Sequence, residues 1–231
     1  MSEQIRERLA RVRQRIARAA ERAGRNPEEI TLIVVTKTFD PATIQQAVDA
    51  GARDLGENRV QEALDKVDKV KADNLRWHLI GHLQSNKARA AARAFDMIHS
   101  VDSADLARRL DRIAGEEERR LSILIQVDLA GEAAKSGADE RALPEIVEAL
   151  DAAEHLEFRG LMTLPPFFES PEQTRPYFRR LRELIEGLNE GRPRERRLSE
   201  LSMGMSHDFE VAIEEGATMV RVGTAIFGAR K

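Results

Sequence analysis

Eight short apolar runs, separated throughout by stretches of helical periodicity, constrain the fold of this chain more than any other feature. The first, Thr31-Leu-Ile-Val-Val35, is a continuous, mostly β-branched run of strand length, suited to a strand buried on both faces. The others lie near 53–55, 76–80, 96–99, 122–127, 156–161, 198–201 and 218–222. Helical patterns occupy 41–50, 57–71, 84–94, 103–117, 139–153, 171–189 and 207–215. Strict alternation predicts a parallel sheet with crossover helices. Eight such units in 231 residues match an α/β fold of the (β/α)8 TIM barrel type, one domain spanning 1–231. An open doubly wound sheet satisfies the same periodicity, which cannot show closure. Ahead of the first strand, Ile5, Leu9, Val12 and Ile16 repeat at helical spacing, so an extra N-terminal helix is expected, ended by Gly24 and Pro27.

Composition narrows the function classes. There are 37 basic and 40 acidic residues, a net charge of −3, which gives no global pull toward nucleic acid or an anionic membrane. The arginines of the first helix are interrupted by Glu3, Glu7 and Glu21 and read as a solvated face. Without cysteine there is no disulfide framework, zinc–thiolate site or thiol nucleophile. No apolar run approaches the ~20 residues of a spanning helix, and the N-terminus lacks a signal core. A cytoplasmic protein is the expectation.

In a (β/α)8 barrel the chemistry sits where the strands end at their carboxyl side. Lys37 follows the first run, Glu57, Asn58 and Arg59 the second, and Gly81 and His82 the third. Ser100 and Asp102 follow the fourth, Asp128 the fifth, and Met162 and Thr163 the sixth. Ser202-Met-Gly-Met-Ser206 follows the seventh, and Arg221-Val-Gly-Thr224 the eighth. A lysine ending a buried strand is partly desolvated at the barrel mouth, which favours the neutral amine that forms imines; a snorkelling lysine explains Lys37 taken alone. The last two loops are where barrels commonly bind phosphate. Ser202, Gly204 and Ser206 offer hydroxyls and a closely approachable backbone, while Gly223 and Thr224 offer N–H groups at the start of a short turn, Thr224-Ala-Ile-Phe227. An anion cradle near an imine-capable lysine describes either pyridoxal 5′-phosphate or an aldolase-type phosphosugar.

Ordered blocks along nearly the whole chain then resemble one family. They are Val34-Val-Thr-Lys37, Gly56-Glu-Asn-Arg-Val-Gln-Glu62, Trp77-His-Leu-Ile-Gly81 with Leu83-Gln-Ser-Asn-Lys87, Gly160-Leu-Met162, Tyr177-Phe-Arg-Arg-Leu181, Leu201-Ser-Met-Gly-Met-Ser206 and Arg221-Val-Gly-Thr-Ala-Ile-Phe-Gly228. Together they resemble the pyridoxal phosphate homeostasis proteins, which are similar to the N-terminal barrel of alanine racemase. The resemblance implies a Schiff base on Lys37 and phosphate contacts from Ser202 through Ser206, Met203 and Gly204 included, and from Gly223 and Thr224. It further implies Arg221 at the pyridine nitrogen and Asn58 beside the cofactor. His82, at the end of the third run, is expected to line the mouth. The resemblance implies a monomer that keeps free cofactor in balance, with apo-enzymes that use pyridoxal phosphate as partners. The segment after the fifth strand departs from the pattern: asparagine is expected where Asp128 stands and a polar residue at Ala134, whereas Lys135 and Gly137 fit.

A carrier is favoured over the alternative, an amino-acid racemase. Arginine cannot accept a proton from the ring nitrogen, so Arg221 there leaves the ring a poor electron sink. Racemisation also needs a second acid or base; in the racemase this is a tyrosine from a partner's additional domain, which a chain ending at residue 231 is not expected to have. The only tyrosine, Tyr177, lies in a helical pattern and is read as packing. His78 is read as a packed strand histidine. No metal site is expected from His78 and His82, whose four-residue spacing spans Gly81, nor from Asp128, Glu132 and Asp139.

Overall fold

A computed structural model describes residues 2–131 and 136–228. Glu132, Ala134 and Lys135, named above, lie outside the described residues. The strands are β1 (Thr31–Val35), β2 (Asp54–Glu57), β3 (Arg76–Leu79), β4 (Met97–Val101), β5 (Leu121–Val127), β6 (Leu156–Thr163), β7 (Glu200–Met205) and β8 (Met219–Val222). Each pairs in parallel with the next, and β8 pairs with β1, from Thr31↔Met219 to Val34↔Val222, which closes the barrel. The open sheet is thereby excluded.

Outside the barrel lie α1 (Ser2–Arg22), α2 (Pro41–Asp49), α3 (Val60–Val67), α4 (Ala88–Ala94), α5 (Ala104–Glu116), α6 (Leu143–Asp151), α7 (Arg175–Leu188), α8 (Phe209–Glu214) and a single turn, α9 (Thr224–Phe227). Their starts carry the expected signals. Asp40 caps α2 by accepting from Thr43 N at 2.8 Å, with Pro41 in the first turn, and Ser103 caps α5 by accepting from Leu106 N at 3.3 Å.

Two apolar regions result from the period-two alternation of the strands. Outward-facing Val34, Leu55, Trp77, Leu79, Ile98, Ile123, Ile125, Leu161, Met203, Val220 and Val222 meet the helices in one large core. Inward-facing Ile33, Met97, Leu124, Met162 and Met219 form a second, small cluster inside the barrel.

The N-terminal helix is integral to the outer layer. It buries Ile5, Leu9, Val12, Ile16, Ala19 and Ala20 along one stripe. Most of its arginines are exposed, as the sequence suggested, and two of them also reach across to α8. Arg15 donates to Glu210 and lies over the Phe209 ring at 4.5 Å, and Arg22 donates to Glu214. Just past the helix, Arg25 donates to the Ile213 and Ala217 carbonyls at 2.9 and 2.8 Å, closing the C-terminus of α8.

The seam between β6 and β7 depends on Gly160, where any Cβ would collide with the Glu200 carbonyl. Gly187, at an exposed position of α7, has open space around its missing Cβ. Gly160→Ala is therefore expected to lower the urea midpoint severely. Gly187→Ala is expected to raise stability by up to about 1 kcal/mol through helix propensity. Equilibrium unfolding of the two variants checks the opposite signs.

Candidate functional site

The carboxyl end of β1 is pinned from below. Thr36 Oγ1 donates to Glu57 Oε1 at 2.6 Å, and Lys66 Nζ donates both to Glu57 Oε1 at 2.7 Å and to the Thr36 carbonyl at 3.1 Å. Glu57 is fully buried, and burial raises its pKa against the pull of Lys66 and Thr36. Lys37 comes next in the chain, half-buried at the start of a turn whose next residue, Thr38, has φ +70°. The Thr38 N–H donates to Glu62 at 3.3 Å, and the Phe39 ring stacks on Phe227 at 4.3 Å. This stack ties the β1 turn to α9.

The closing strand brings the phosphate candidates to the same rim. Val34 pairs with Val222, so Lys37 and Thr224 come after adjacent strands at the same end of the barrel. Gly223 packs on Val35, where an added Cβ would lie 3.2 Å from the Val35 Cβ. Two backbone donors, Gly223 N and Ala225 N, converge on Ser206 Oγ at 3.3 and 3.4 Å. Gly204 holds the preceding bend with φ +89°, and a Cβ there would meet Phe209 Cα at 2.8 Å. Only glycine allows both the left-handed backbone and the close approach of α8. Convergent N–H groups, a hydroxyl and an accessible backbone are the donor set an anion requires.

Arg221 lies inside the barrel, 2% exposed. Its Nη1 donates to Ser202 Oγ at 2.5 Å and its Nη2 to the Thr163 carbonyl at 2.8 Å. Burial pushes its pKa down to about 10, opposed by the nearby Asp208 carboxylate, so it remains charged at neutral pH. Behind it, Ser202 Oγ meets His99 Nδ1 at 2.9 Å, His99 Nε2 meets His78 Nδ1 at 3.0 Å, and His78 Nε2 meets Asp54 Oδ1 at 2.9 Å.

Several sequence expectations need adjustment. Ser202 is completely buried and engaged between Arg221 and His99, beneath the site and apart from the loop that carries Ser206. The Met203 side chain faces outward into the helix-side core, because its neighbours in the strand point inward. Only its backbone belongs to the rim. Gly204, Ser206, Gly223 and Thr224 do share that rim. Asn58 borders it, its backbone packed so closely on residue 81 that only glycine fits there. His82 is half-exposed, with Nδ1 3.4 Å from Asp102 Oδ2, so β3 and β4 meet at the mouth through this pair. Asp128 accepts from Ala130 N and Gly131 N and shapes its own turn. Tyr177 stacks on Phe168 at 6.0 Å, on the helical layer. Among the described residues no group of three or more histidines and carboxylates is placed to hold a metal ion.

His99 and Lys66 escaped the sequence reading. His99 sits inside the apolar run Met97-Ile-His-Ser-Val101, and a histidine within a strand buried on both faces is the signal that could have found it. Lys66 is one lysine among several in a helical pattern, and nothing local marks it as buried.

Lys66→Met is expected to leave Glu57 as an uncompensated buried charge and to cost about 3–5 kcal/mol near pH 8. A carboxyl with a raised folded-state pKa favours folding below its unfolded pKa and opposes it as pH rises above that value. The deficit should therefore shrink as the pH falls toward 5. Urea unfolding of variant and parent at both pH values measures it.

Similarity to known proteins agrees with this geometry. The sequence pattern of the family described as "Alanine racemase, N-terminal domain" matches residues 8–231. A pyridoxal phosphate homeostasis protein of Aquifex aeolicus is 45% identical over 225 residues, covering 97% of this chain and 98% of the relative. The protein of the same description from Escherichia coli is 43% identical over 230 residues, covering 98% and 97%. The chain belongs to the pyridoxal phosphate homeostasis protein family. Among solved structures, PipY of Synechococcus elongatus, with PLP bound, superposes with a TM-score of 0.86 at 43% identity, covering 97% of this chain and 100% of that one. An alanine racemase of Clostridium difficile superposes with a TM-score of 0.78 at 15% identity and covers 57% of that longer chain; this likeness is one of fold. The homeostasis family and the racemase thus share the barrel.

Proposed function

We propose that this chain binds pyridoxal 5′-phosphate as a Schiff base on Lys37 and holds it in reserve for apo-enzymes, without efficient turnover. One observation carries the reading: closure of β8 on β1 brings a half-buried lysine and a convergent set of anion donors to the same end of the barrel, with an arginine buried in the barrel interior. The bound PLP of the 43% identical PipY supports the same ligand here. The residues fit the group by their chemistry. Lys37 would supply the amine, Ser206, Gly223 and Ala225 would hold the phosphate, and Arg221 would donate to the ring nitrogen.

When bound, the cofactor supplies an aldehyde that exchanges reversibly between amines. The chain's own contribution is to hold that aldehyde and to limit its further chemistry. Arg221 is a donor without an acceptor, so it would not keep the ring nitrogen protonated and would leave the bound ring a poorer electron sink. Tyr177, the only tyrosine, is engaged on the helical layer and offers no acid opposite Lys37. These features support storage and release over racemisation. A monomer working in the cytoplasm is part of the proposal; among the described residues no helix is long and apolar enough to cross a membrane.

Freshly purified protein is expected to carry a visible absorption band that Lys37→Ala loses. Borohydride reduction and then peptide mass measurement should place a phosphopyridoxyl group on Lys37; a phosphosugar adduct or an unmodified peptide overturns the reading. Incubation with L-alanine or L-serine should yield D-enantiomer no faster than free cofactor does, as read by chiral chromatography. Formation well above that background would return the chain to the racemases.

A further inference from the structure

The interior of a (β/α)8 barrel is ordinarily filled by branched apolar side chains. Here the small apolar cluster around Ile33 and Leu124 shares the interior with five polar residues, Asp54, His78, His99, Ser202 and Arg221, none more than 7% exposed. Buried polar groups destabilise unless each is satisfied, and these are joined link by link at 2.5–3.0 Å from β2 to β8.

The two ends give the chain a direction. Burial raises the Asp54 carboxyl, but hydrogen bonds from His78 and Arg76 outweigh it and hold it below its usual range, so it only accepts. Arg221 only donates. Burial, aided by the charge of Arg221, keeps His99 well below its ordinary pKa and therefore neutral. A proton arrangement running from the arginine donor to the carboxylate acceptor satisfies every link. Arg221 donates to Ser202, Ser202 to His99 Nδ1, His99 Nε2–H to His78 Nδ1, and His78 Nε2–H to Asp54.

In that arrangement His99 takes the Ser202 hydroxyl proton, which leaves the oxygen lone pairs of Ser202 turned to the guanidinium. Without His99, the hydroxyl has no acceptor on that side and competes with Arg221 instead of receiving it. Arg76 secures the far end, with Nε 2.8 Å from Asp54 Oδ1. Asp54 also borders a cavity of about 400 Å³ at the amino-terminal end of the barrel, opposite the candidate site.

We propose that His78 and His99, acting through Ser202, are positioning residues that fix Arg221 as a donor and so make the site select an aromatic aldehyde with an acceptor ring nitrogen. This inference rests on the pyridoxal phosphate reading and adds to it a selection mechanism seated in the barrel interior.

The test is equilibrium dialysis of the full chain against pyridoxal phosphate and against its 1-deaza analogue, which keeps the aldehyde and phosphate but has C–H for the ring nitrogen. Wild type should prefer the pyridine compound by about tenfold or more, the scale of one hydrogen bond to a charged group. His99→Phe and Ser202→Ala should bring the preference below about threefold, while His99→Asn, whose amide oxygen can accept from Ser202, should stay within about twofold of wild type. Should His99→Phe fail to fold, Ser202→Ala and His99→Asn decide the matter. An unchanged preference in Ser202→Ala overturns the inference, as does a loss in His99→Asn as large as in Ser202→Ala. Wild type that binds both compounds without discrimination overturns it while leaving the cofactor reading intact. Wild type that binds neither overturns both.

Discussion

Parallel hydrogen bonding between β1 and β8 joins segments that lie almost 190 residues apart, from Thr31↔Met219 to Val34↔Val222. A parallel pair of such separation carries a large loop-closure cost that only the completed barrel offsets. Its consequence is local. Lys37 and the Gly223–Thr224 turn leave neighbouring strands at the same end, and the Phe39–Phe227 stack at 4.3 Å holds their turns together. Remove the pairing, and the amine and the anion donors belong to unrelated parts of the chain.

The same closure makes a polar interior tenable. Arg221 would be costly as a buried cation, yet β8 delivers it beside Ser202 on β7 and the Thr163 carbonyl on β6. The Glu57–Lys66–Thr36 cluster plays a matching part outside the strands, fixing the backbone that precedes Lys37. Charge is thus placed on both sides of the sheet near the carboxyl ends, each time with a named partner. A buried donor-only arginine and a half-buried amine thus leave strands at the same end of the barrel.

Much of this was legible along the chain. The alternation of runs predicted eight strands, and the stripe Ile5, Leu9, Val12 and Ile16 predicted α1 with its buried face. Strand ends were less legible, because polar residues inside the ladder end an apolar run before the strand ends. Thus β7 was expected to stop at 201 and runs to Met205, and β2 continues through Glu57. Ser202, Met203 and Gly204 were for that reason assigned to a loop. Within a strand their side chains alternate: Ser202 goes inward to His99, and Met203 goes outward to the helices.

By itself the sequence determined the repeating unit, the eightfold count, the lysine that follows the first strand and the turn at Gly223, because propensity, periodicity and residue chemistry are local properties. Only the tertiary structure decided that the sheet closes, that Ser202 serves Arg221, and that His78 and His99 carry a hydrogen-bonded chain through the core. Those outcomes depend on which residues of distant strands share a face and a level of the barrel, and that is set by register and closure across the whole sheet.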